Sequence, residues 1–186
     1  AYATAVLAGK WGLPFPVVDL ERGRELLAAV EMRLWTPMGP RSLSPEEPGY
    51  HPYYTGGPLE RDGAYHQGTV WPWLAGAFIE AWVRVNGDTD NARAHARRPR
   101  FTPLLAGLTR PGLGHLAEIA DAEAPFTPRG CPFQAWSMGE LLRLDRIVLA
   151  ARALFGGKCS VNRGFFDAAA GAEGEEALEL WLACLQ

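Results

Sequence analysis

Apolar positions along the chain predict helices that are separated by long loops. A first helix is expected from an N-cap at Asp19 to about Leu34, because leucine and valine recur along one side of this segment. From Trp35 to Tyr65 no period persists, and six prolines argue against a helix there. A loop near thirty residues is rare in a compact domain unless it has a function. The pattern therefore indicates that this loop lines a site.

The second predicted helix begins at Thr69 and carries Pro72 in its first turn, where the missing N–H does no harm. It is expected to end at Asn86-Gly87, a left-handed stop signal. Apolar residues cover most of its circumference, which predicts burial on nearly all sides. Glu80 and Arg84 are expected to pair on the strip that faces water.

Three further helical segments are predicted. Asp88 is expected to cap a polar segment that Pro99 and Pro103 divide. A fourth helix is expected from about Pro132 to Leu154, with an apolar side made of Phe133, Trp136, Leu141, Leu144, Ile147 and Val148. A short last helix over Glu175–Leu185 follows a weakly patterned tail. No strand alternation is convincing, so the sequence predicts an all-α fold in which loops at one end of the helices build the site.

Composition excludes several classes of protein. The chain has 186 residues, of which 48% are apolar and 21% charged, so it can bury a core without disulfides or a metal. A net charge of -3 argues against a general nucleic-acid binder, and no apolar run approaches the ~20 residues of a membrane span. No signal-peptide pattern opens the sequence. Three widely spaced cysteines argue against a zinc site or a disulfide framework and predict a reducing, cytoplasmic compartment.

Aromatic and polar rings are concentrated in the segment Asp62–Trp73, at the expected start of the second helix. Trp and Tyr rings stack on sugar rings, while Gln and His hydrogen-bond sugar hydroxyls. Tyr65, His66 and Gln67 precede the helix, where packing in a core explains them least. Core packing is nevertheless the alternative that the residue types alone favour. His66 is not expected to bind a metal, because no second histidine or carboxylate stands at ligand spacing.

A second candidate segment is acidic. Glu118, Asp121 and Glu123 lie within six residues of a predicted loop. Glycoside hydrolysis commonly uses two carboxyl groups that flank the scissile bond. Glu118 is the candidate for one of them, although a solvated role is equally open. Asp121 and Glu123 are expected to be solvated loop carboxylates.

Four uncommon strings occur in order along the chain: Thr36–Pro45, Tyr65–Trp73, Gly114–Ile119 and Pro128–Ser137. Together they closely resemble the C-terminal amylo-α-1,6-glucosidase domain of glycogen debranching enzymes. The resemblance runs from about Asp19 to Leu154. It divides the chain into a poorly matched segment 1–18, the C-terminal part of a glucosidase barrel over 19–154, and an unassigned tail 155–186 with a short helix.

The resemblance implies a fold and a reaction. The fold is part of an (α/α)6 toroid, a six-hairpin barrel that would be incomplete in this chain. The reaction is hydrolysis of α-1,6-linked glucose in glycogen or a related α-glucan, with inversion at the anomeric carbon. Glu118 matches the base that activates water. The residues expected to bind substrate are Tyr65, His66, Gln67, Trp71, Arg129, Gln134 and Trp136. No metal or organic cofactor is implied.

The chain also departs from the family pattern. Family members usually carry about as much helical domain again before the segment that matches Asp19, and that half holds the Asp expected to act as general acid. No Trp-x-Asp string occurs here. The loop after Glu118 reads Asp-Ala-Glu-Ala, where the family usually has a Gly between two acidic residues. The five or so predicted helices cannot close six hairpins.

Three hypotheses are therefore open. The chain could supply the base half of a glucosidase site, with the acid from a second polypeptide, an absent segment or a nonstandard carboxylate such as Asp62. It could instead be a truncated, non-catalytic module that binds α-glucan. It could also be a helical fragment that is stable only as an oligomer. The expected partners are an α-glucan or oligosaccharide and a second copy or a complementing barrel half, with no nucleic acid and no membrane.

Overall fold

Helices dominate the part of the chain that the computed structural model describes, residues 18–109 and 114–150. They are α1 (Leu20–Arg33), α2 (Pro58–Ala64), α3 (Leu74–Val85), α4 (Asp90–Ala96), α5 (Thr102–Ala106) and α6 (Ala135–Arg143). Strand β1 (Trp35–Thr36) pairs antiparallel with β2 (Gly39–Pro40), and β3 (Ile119–Ala120) with β4 (Pro128–Arg129). The chain divides into two compact units, Ala1–Ala150 and Ala151–Gln186. The predicted tail and its last helix lie outside the described residues.

Helix α1 confirms its prediction from the sequence. The Asp19 side chain accepts a hydrogen bond from the Arg22 backbone N–H at 2.7 Å, which satisfies a free donor of the first turn. Leu27 and Val30 form the buried side of the helix. The helix contacts α3, so its apolar side closes one flank of the core.

Helix α3 is central, because α1, α4 and α6 all contact it. Its predicted burial is confirmed, and Phe78 and Ile79 are fully buried. The helix begins at Leu74, however, and not at Thr69 as expected. Val70 is instead extended: its N–H donates to the Ala120 carbonyl and its carbonyl accepts from the Ala120 N–H, each at 2.9 Å. A residue that pairs in this way cannot also belong to a helical turn.

The predicted pair of Glu80 and Arg84 is confirmed, but the prediction that it faces water is wrong. Glu80 is only 7% exposed, and its carboxylate contacts both Arg84 and, at 2.5 Å, the Arg143 guanidinium. Arg143 also donates to Glu140 at 2.8 and 3.0 Å. The hydrogen bonds that Arg143 donates to Glu140 and Glu80 raise the pKa of Arg143 against the opposing effect of burial. A buried ionic cluster therefore links α3 to α6.

Prolines mark helices where the sequence predicted interruptions. Pro58 opens α2, inside the expected loop, because the first turn of a helix tolerates a missing N–H. Pro99 and Pro103 do not divide the polar segment: a π-helical turn, Arg97–Phe101, carries the chain from α4 into α5 and a 3-10 turn, Gly107–Thr109. The cap of α4 is Thr89 and not Asp88, because the Thr89 hydroxyl accepts from Ala92 N–H at 3.1 Å.

The fourth predicted helix is shorter than expected. Helix α6 begins after Gln134, and a π-helical turn over Leu144–Val148 ends it. Leu141, Leu144 and Val148 are buried as expected. The other three residues assigned to the apolar side are exposed: Phe133 at 58%, Trp136 at 49% and Ile147 at 71%. Phe133 precedes the helix, and Trp136 and Ile147 lie on its outer side.

Candidate active site

The β3–β4 hairpin positions Glu118. Ile119 lies opposite Arg129 and Ala120 opposite Pro128 in the strand register. Beyond the strands the Glu118 N–H donates to the Cys131 carbonyl at 2.8 Å, one residue out of this register. This bond holds Glu118 beside Cys131 at the open end of the hairpin.

Both oxygens of the Glu118 carboxylate accept a hydrogen bond. The Tyr65 hydroxyl donates to Oε1 at 2.5 Å, and the Cys131 backbone N–H donates to Oε2 at 3.1 Å. Gly130 leaves room for this carboxylate, since a Cβ at that position would lie 2.5 Å from Oε2. Two donors and one close backbone contact thus hold the side chain in a single orientation.

The Tyr65 phenol is a durable donor. Burial, followed by the hydrogen bond to Glu118, raises the pKa of Tyr65 far above its ordinary value of about 10. The hydroxyl therefore keeps its proton across the physiological range and continues to donate to the carboxylate.

Rings cluster around Tyr65. His66 stacks on Trp71 with ring centroids 4.9 Å apart and planes 10° from parallel. The Tyr65 ring meets both of them edge-on, at 4.7 and 4.9 Å, and the Tyr54 ring lies 5.7 Å away. His66 is exposed, whereas Trp71 is only 7% exposed. The segment therefore combines a buried indole, as core packing would predict, with an imidazole that a ligand can reach.

Local hydrogen bonds fold this aromatic segment. The Thr69 hydroxyl and the Trp71 indole N–H both donate to the Tyr65 carbonyl, at 2.6 and 3.2 Å. The pairing of Val70 with Ala120 then fastens the segment to the β3–β4 hairpin. Tyr65 and Glu118 are thereby brought together although 53 residues separate them in the sequence.

The remaining predicted binding residues lie in two other places. Gln67 is exposed, and its carbonyl accepts from the His51 N–H at 2.6 Å. Gln134 occupies the N-cap position of α6, where its N–H donates to the Leu116 carbonyl at 3.2 Å. Trp136 pairs with Trp73 at 6.1 Å. The structure thus groups His66 and Trp71 around Tyr65, which binds Glu118, and puts Gln134 and Trp136 at the start of α6.

Asp121 is not solvated, which corrects the expectation from the sequence. It is 2% exposed, and the Tyr54 N–H donates to its Oδ1 at 2.9 Å. Arg129, expected to bind substrate, donates to Oδ2 through Nε at 3.0 Å and contacts the same oxygen through Nη2 at 2.9 Å. A buried carboxylate is costly unless it is paired, and Arg129 supplies that pairing.

Glu123 is also bound, although it is partly exposed. The Tyr50 hydroxyl donates to it at 2.7 Å, and the Arg41 guanidinium lies 3.4 Å from the same oxygen. Burial and this hydrogen bond raise the pKa of Tyr50 to about 12. No role was predicted for Tyr50 and Arg41 from the sequence. The signal was their place in the proline-rich loop that was expected to line a site.

A pocket of about 210 Å³ lies against the same hairpin. It is lined by Met38, Gly107, His115, Leu116, Ala117, Thr127, Pro128, Arg129, Gly130 and Pro132. Its walls contain no indole or phenol ring, so it is distinct from the ring cluster around Tyr65. Gly130 belongs to the pocket wall and also touches Glu118.

The described residues lack both a cluster of metal ligands and a helix that could span a membrane. Over residues 18–109 and 114–150, no three His, Cys, Asp or Glu side chains converge in a way that could hold a metal ion. The helices of this same part are too short or too polar to cross a membrane.

Comparison with known proteins decides the family. The family model for amylo-alpha-1,6-glucosidase matches residues 7–143. The chain belongs to this family. Over 134 aligned residues it is 30% identical to the glycogen debranching enzyme of Saccharomyces cerevisiae. The alignment covers 58% of this chain but only 8% of the yeast protein, so this amylo-alpha-1,6-glucosidase family member spans a small part of that relative.

Proposed function

We propose that this chain supplies the base half of an α-1,6-glucosidase active site, with Glu118 as the group that activates water. The observation that carries the proposal is the double hydrogen bond to the Glu118 carboxylate from Tyr65 and the Cys131 N–H. A general base must be held in one orientation to accept a proton from attacking water. Each carboxylate oxygen has the capacity to accept two hydrogen bonds, and each oxygen of Glu118 accepts one, so one position on each oxygen is left for that water.

In the proposed reaction, the Glu118 carboxylate removes a proton from a water molecule while the oxygen of that water attacks the anomeric carbon. The bond from that carbon to the leaving oxygen breaks on the opposite face of the sugar, which inverts the configuration. The leaving oxygen takes its proton from a carboxylic acid. We assign this acid to a complementing half of the barrel, because the chain carries no Trp-x-Asp string.

The substrate class follows from the family and the rings. An α-glucan ring would stack against the exposed His66 imidazole and the neighbouring Tyr65, while Gln67 and Gln134 bond its hydroxyls. Trp136, half exposed beside Trp73, would contact a further glucose unit. In this proposal residues 19–154 form the C-terminal part of an (α/α)6 toroid in a cytoplasmic protein.

Hydrolysis of α-glucosyl fluoride tests the base without the acid, since fluoride departs without protonation. We expect the chain to release fluoride and to form β-glucose first, as an inverting base requires. Glu118→Gln should lower the rate by ~10²–10⁴-fold, because the amide cannot take a proton from water. The matched control is Glu25→Gln on the exposed side of α1, which should leave the rate unchanged.

Fluoride release that survives in a folded Glu118→Gln variant would remove Glu118 from the mechanism. The unfolding midpoint of each variant shows whether it is folded. The same variants, assayed for glucose released from a limit dextrin, report whether an acid is also present.

A second candidate function is binding of α-glucan without catalysis. The missing Trp-x-Asp string favours it, because one carboxylate without its partner lacks general-acid assistance. Calorimetric titration with maltooligosaccharides separates the two functions. Binding without turnover of either substrate supports the binding module, and absence of binding contradicts both functions.

A further inference from the structure

Asp121 holds three segments of the site together through one buried carboxylate. Asp121 itself lies three residues after Glu118. Its Oδ2 accepts a hydrogen bond from Arg129 of β4, and its Oδ1 accepts one from the backbone N–H of Tyr54. The side chain of Asp121 is 4% exposed and that of Arg129 is 34% exposed. A carboxylate this deeply buried needs both of these partners to offset its lost hydration.

We propose that Asp121 and Arg129 are a positioning pair for Glu118, an inference that rests on the proposed role of Glu118 as base. Arg129 directly precedes Gly130 and Cys131, the two residues that touch Glu118 Oε2. The ion pair crosses the hairpin from the β3 side to β4. It therefore prevents β4 from sliding along β3, a movement that would carry the Cys131 N–H away from the carboxylate.

The other oxygen of Asp121, Oδ1, is connected through Tyr54 to Tyr65, the second donor to Glu118. It anchors the Tyr54 backbone, and the Tyr54 ring packs 5.7 Å from the ring of Tyr65. Tyr65 donates to Glu118 Oε1. Asp121 is thus connected to both donors of the Glu118 carboxylate. Arg129 lies two residues before Cys131, and the ring of Tyr54 packs on that of Tyr65.

This role differs from the one that the sequence predicted for Arg129. A guanidinium that contacts substrate should affect the KM for substrate, whereas a positioning residue affects the rate of the bound complex. The contacts of Nε and Nη2 with Asp121 favour positioning, because they direct the charged group to a buried partner within the hairpin.

Asp121→Asn is the first test, carried out on the full chain with α-glucosyl fluoride. The asparagine amide has a single acceptor oxygen, so it cannot serve both Tyr54 and Arg129. We expect kcat to fall by ~10–10²-fold with KM unchanged, as a displaced base predicts. The control is Asp145→Asn, whose carboxylate is 11% exposed and pairs with Arg97 at 2.9 Å. It should lose comparable stability and keep its kcat.

A second readout does not depend on turnover. The Tyr65 hydroxyl proton, held in a 2.5 Å hydrogen bond, should give a downfield proton resonance by NMR, which Tyr65→Phe removes and so assigns. Asp121→Asn should broaden this resonance by exchange with water, and Asp145→Asn should not. A wild-type chain without turnover would overturn the proposed function. The Tyr65 resonance would still show whether Asp121 and Arg129 position the hydrogen bond to Glu118.

Two results would overturn the pair. One is a folded Asp121→Asn chain with unchanged kcat, where turnover exists, and an unchanged Tyr65 resonance. The other is an Arg129→Lys chain with raised KM and unaltered kcat, which would return Arg129 to substrate binding. If Asp121→Asn does not fold, the kinetic constants and the Tyr65 resonance are measured on Arg129→Lys instead. Arg129 is the more exposed partner, and its replacement keeps the charge.

Discussion

At the scale of single residues, a glycine contributes to the orientation of Glu118. Gly130 has φ +66, a conformation that residues with a side chain rarely adopt. A Cβ there would also lie 2.5 Å from Glu118 Oε2 and 3.1 Å from Ile119 Cγ1. Any larger residue would therefore strain the backbone and push the carboxylate away from the Cys131 N–H.

Gly130→Ala should lower both stability and turnover. The left-handed backbone costs about 1–2 kcal/mol, and a displaced carboxylate should lower kcat for α-glucosyl fluoride by ~10–10²-fold. Gly49→Ala is the matched control, because Gly49 has φ +87 and nothing within 4 Å of the added carbon. Urea unfolding should show a loss of stability in both variants, larger in Gly130→Ala because of its added contacts, and only Gly130→Ala should lose turnover. Equal turnover in both would mean that Gly130 serves the backbone alone.

Residue types and spacing predicted the candidate site residues but not the contacts between them. Tyr65, His66 and Glu118 were predicted because unusual residue types were concentrated in short segments. Asp121 was wrongly expected in solvent, because its partner Arg129 is eight residues away across a hairpin. No local pattern encodes the register that makes them neighbours.

At the scale of elements, α3 and α6 approach closely at a second glycine. A Cβ on Gly76 would overlap the Glu140 carboxylate and lie 3.0 Å from Glu140 Cβ. Glu140 also binds Arg143, which in turn binds buried Glu80. The lack of a side chain at Gly76 therefore allows the ionic cluster between the two helices to form.

Gly76→Ala should destabilise the chain by about 1–3 kcal/mol, as overpacking at a close contact does. Gly139→Ala, also within a helix but exposed and with nothing within 4 Å, should instead stabilise it by about 0.5–1 kcal/mol through helix propensity. Thermal unfolding of both variants checks the difference in sign. A stabilised Gly76→Ala chain would contradict the close contact.

Helix patterns were predictable where local signals agree with tertiary contacts. The cap at Asp19 and the stop at Asn86-Gly87 were both correct, because capping depends on nearby residues. The start of α3 was wrong, because Val70 pairs with Ala120, fifty residues away. Pro72 is compatible both with the first turn of a helix and with the extended segment that is observed. The sequence therefore could not reveal that pairing with Ala120 delays the start of the helix.

At the scale of the whole molecule, large apolar side chains remain on the surface of the described part. Ile147 lies in the last described helical turn, Leu144–Val148, and is 71% exposed. Exposed apolar side chains of this size favour association. We propose that a second copy or a complementing barrel half covers this surface.

The isolated chain should therefore associate as its concentration rises. Sedimentation velocity should show species larger than the monomer at micromolar concentration, because burying these side chains removes apolar area from water. Ile147→Lys should shift the distribution toward the monomer. Leu59→Lys, which alters an 83% exposed leucine on α2, is the matched control and should not. A compact monomer in all three chains would contradict the proposed covered surface.

The reciprocal hydrogen bonds of Val70 and Ala120 also bear on redesign. They join the ring-bearing segment 65–71 to the hairpin 118–131, and the hydrogen bond from Tyr65 to Glu118 joins the same two pieces a second time. An engineer who wished to graft the proposed sugar-binding site onto another scaffold would have to transplant both pieces with their relative placement intact. The proposed selectivity and reactivity would in this respect be inherited together.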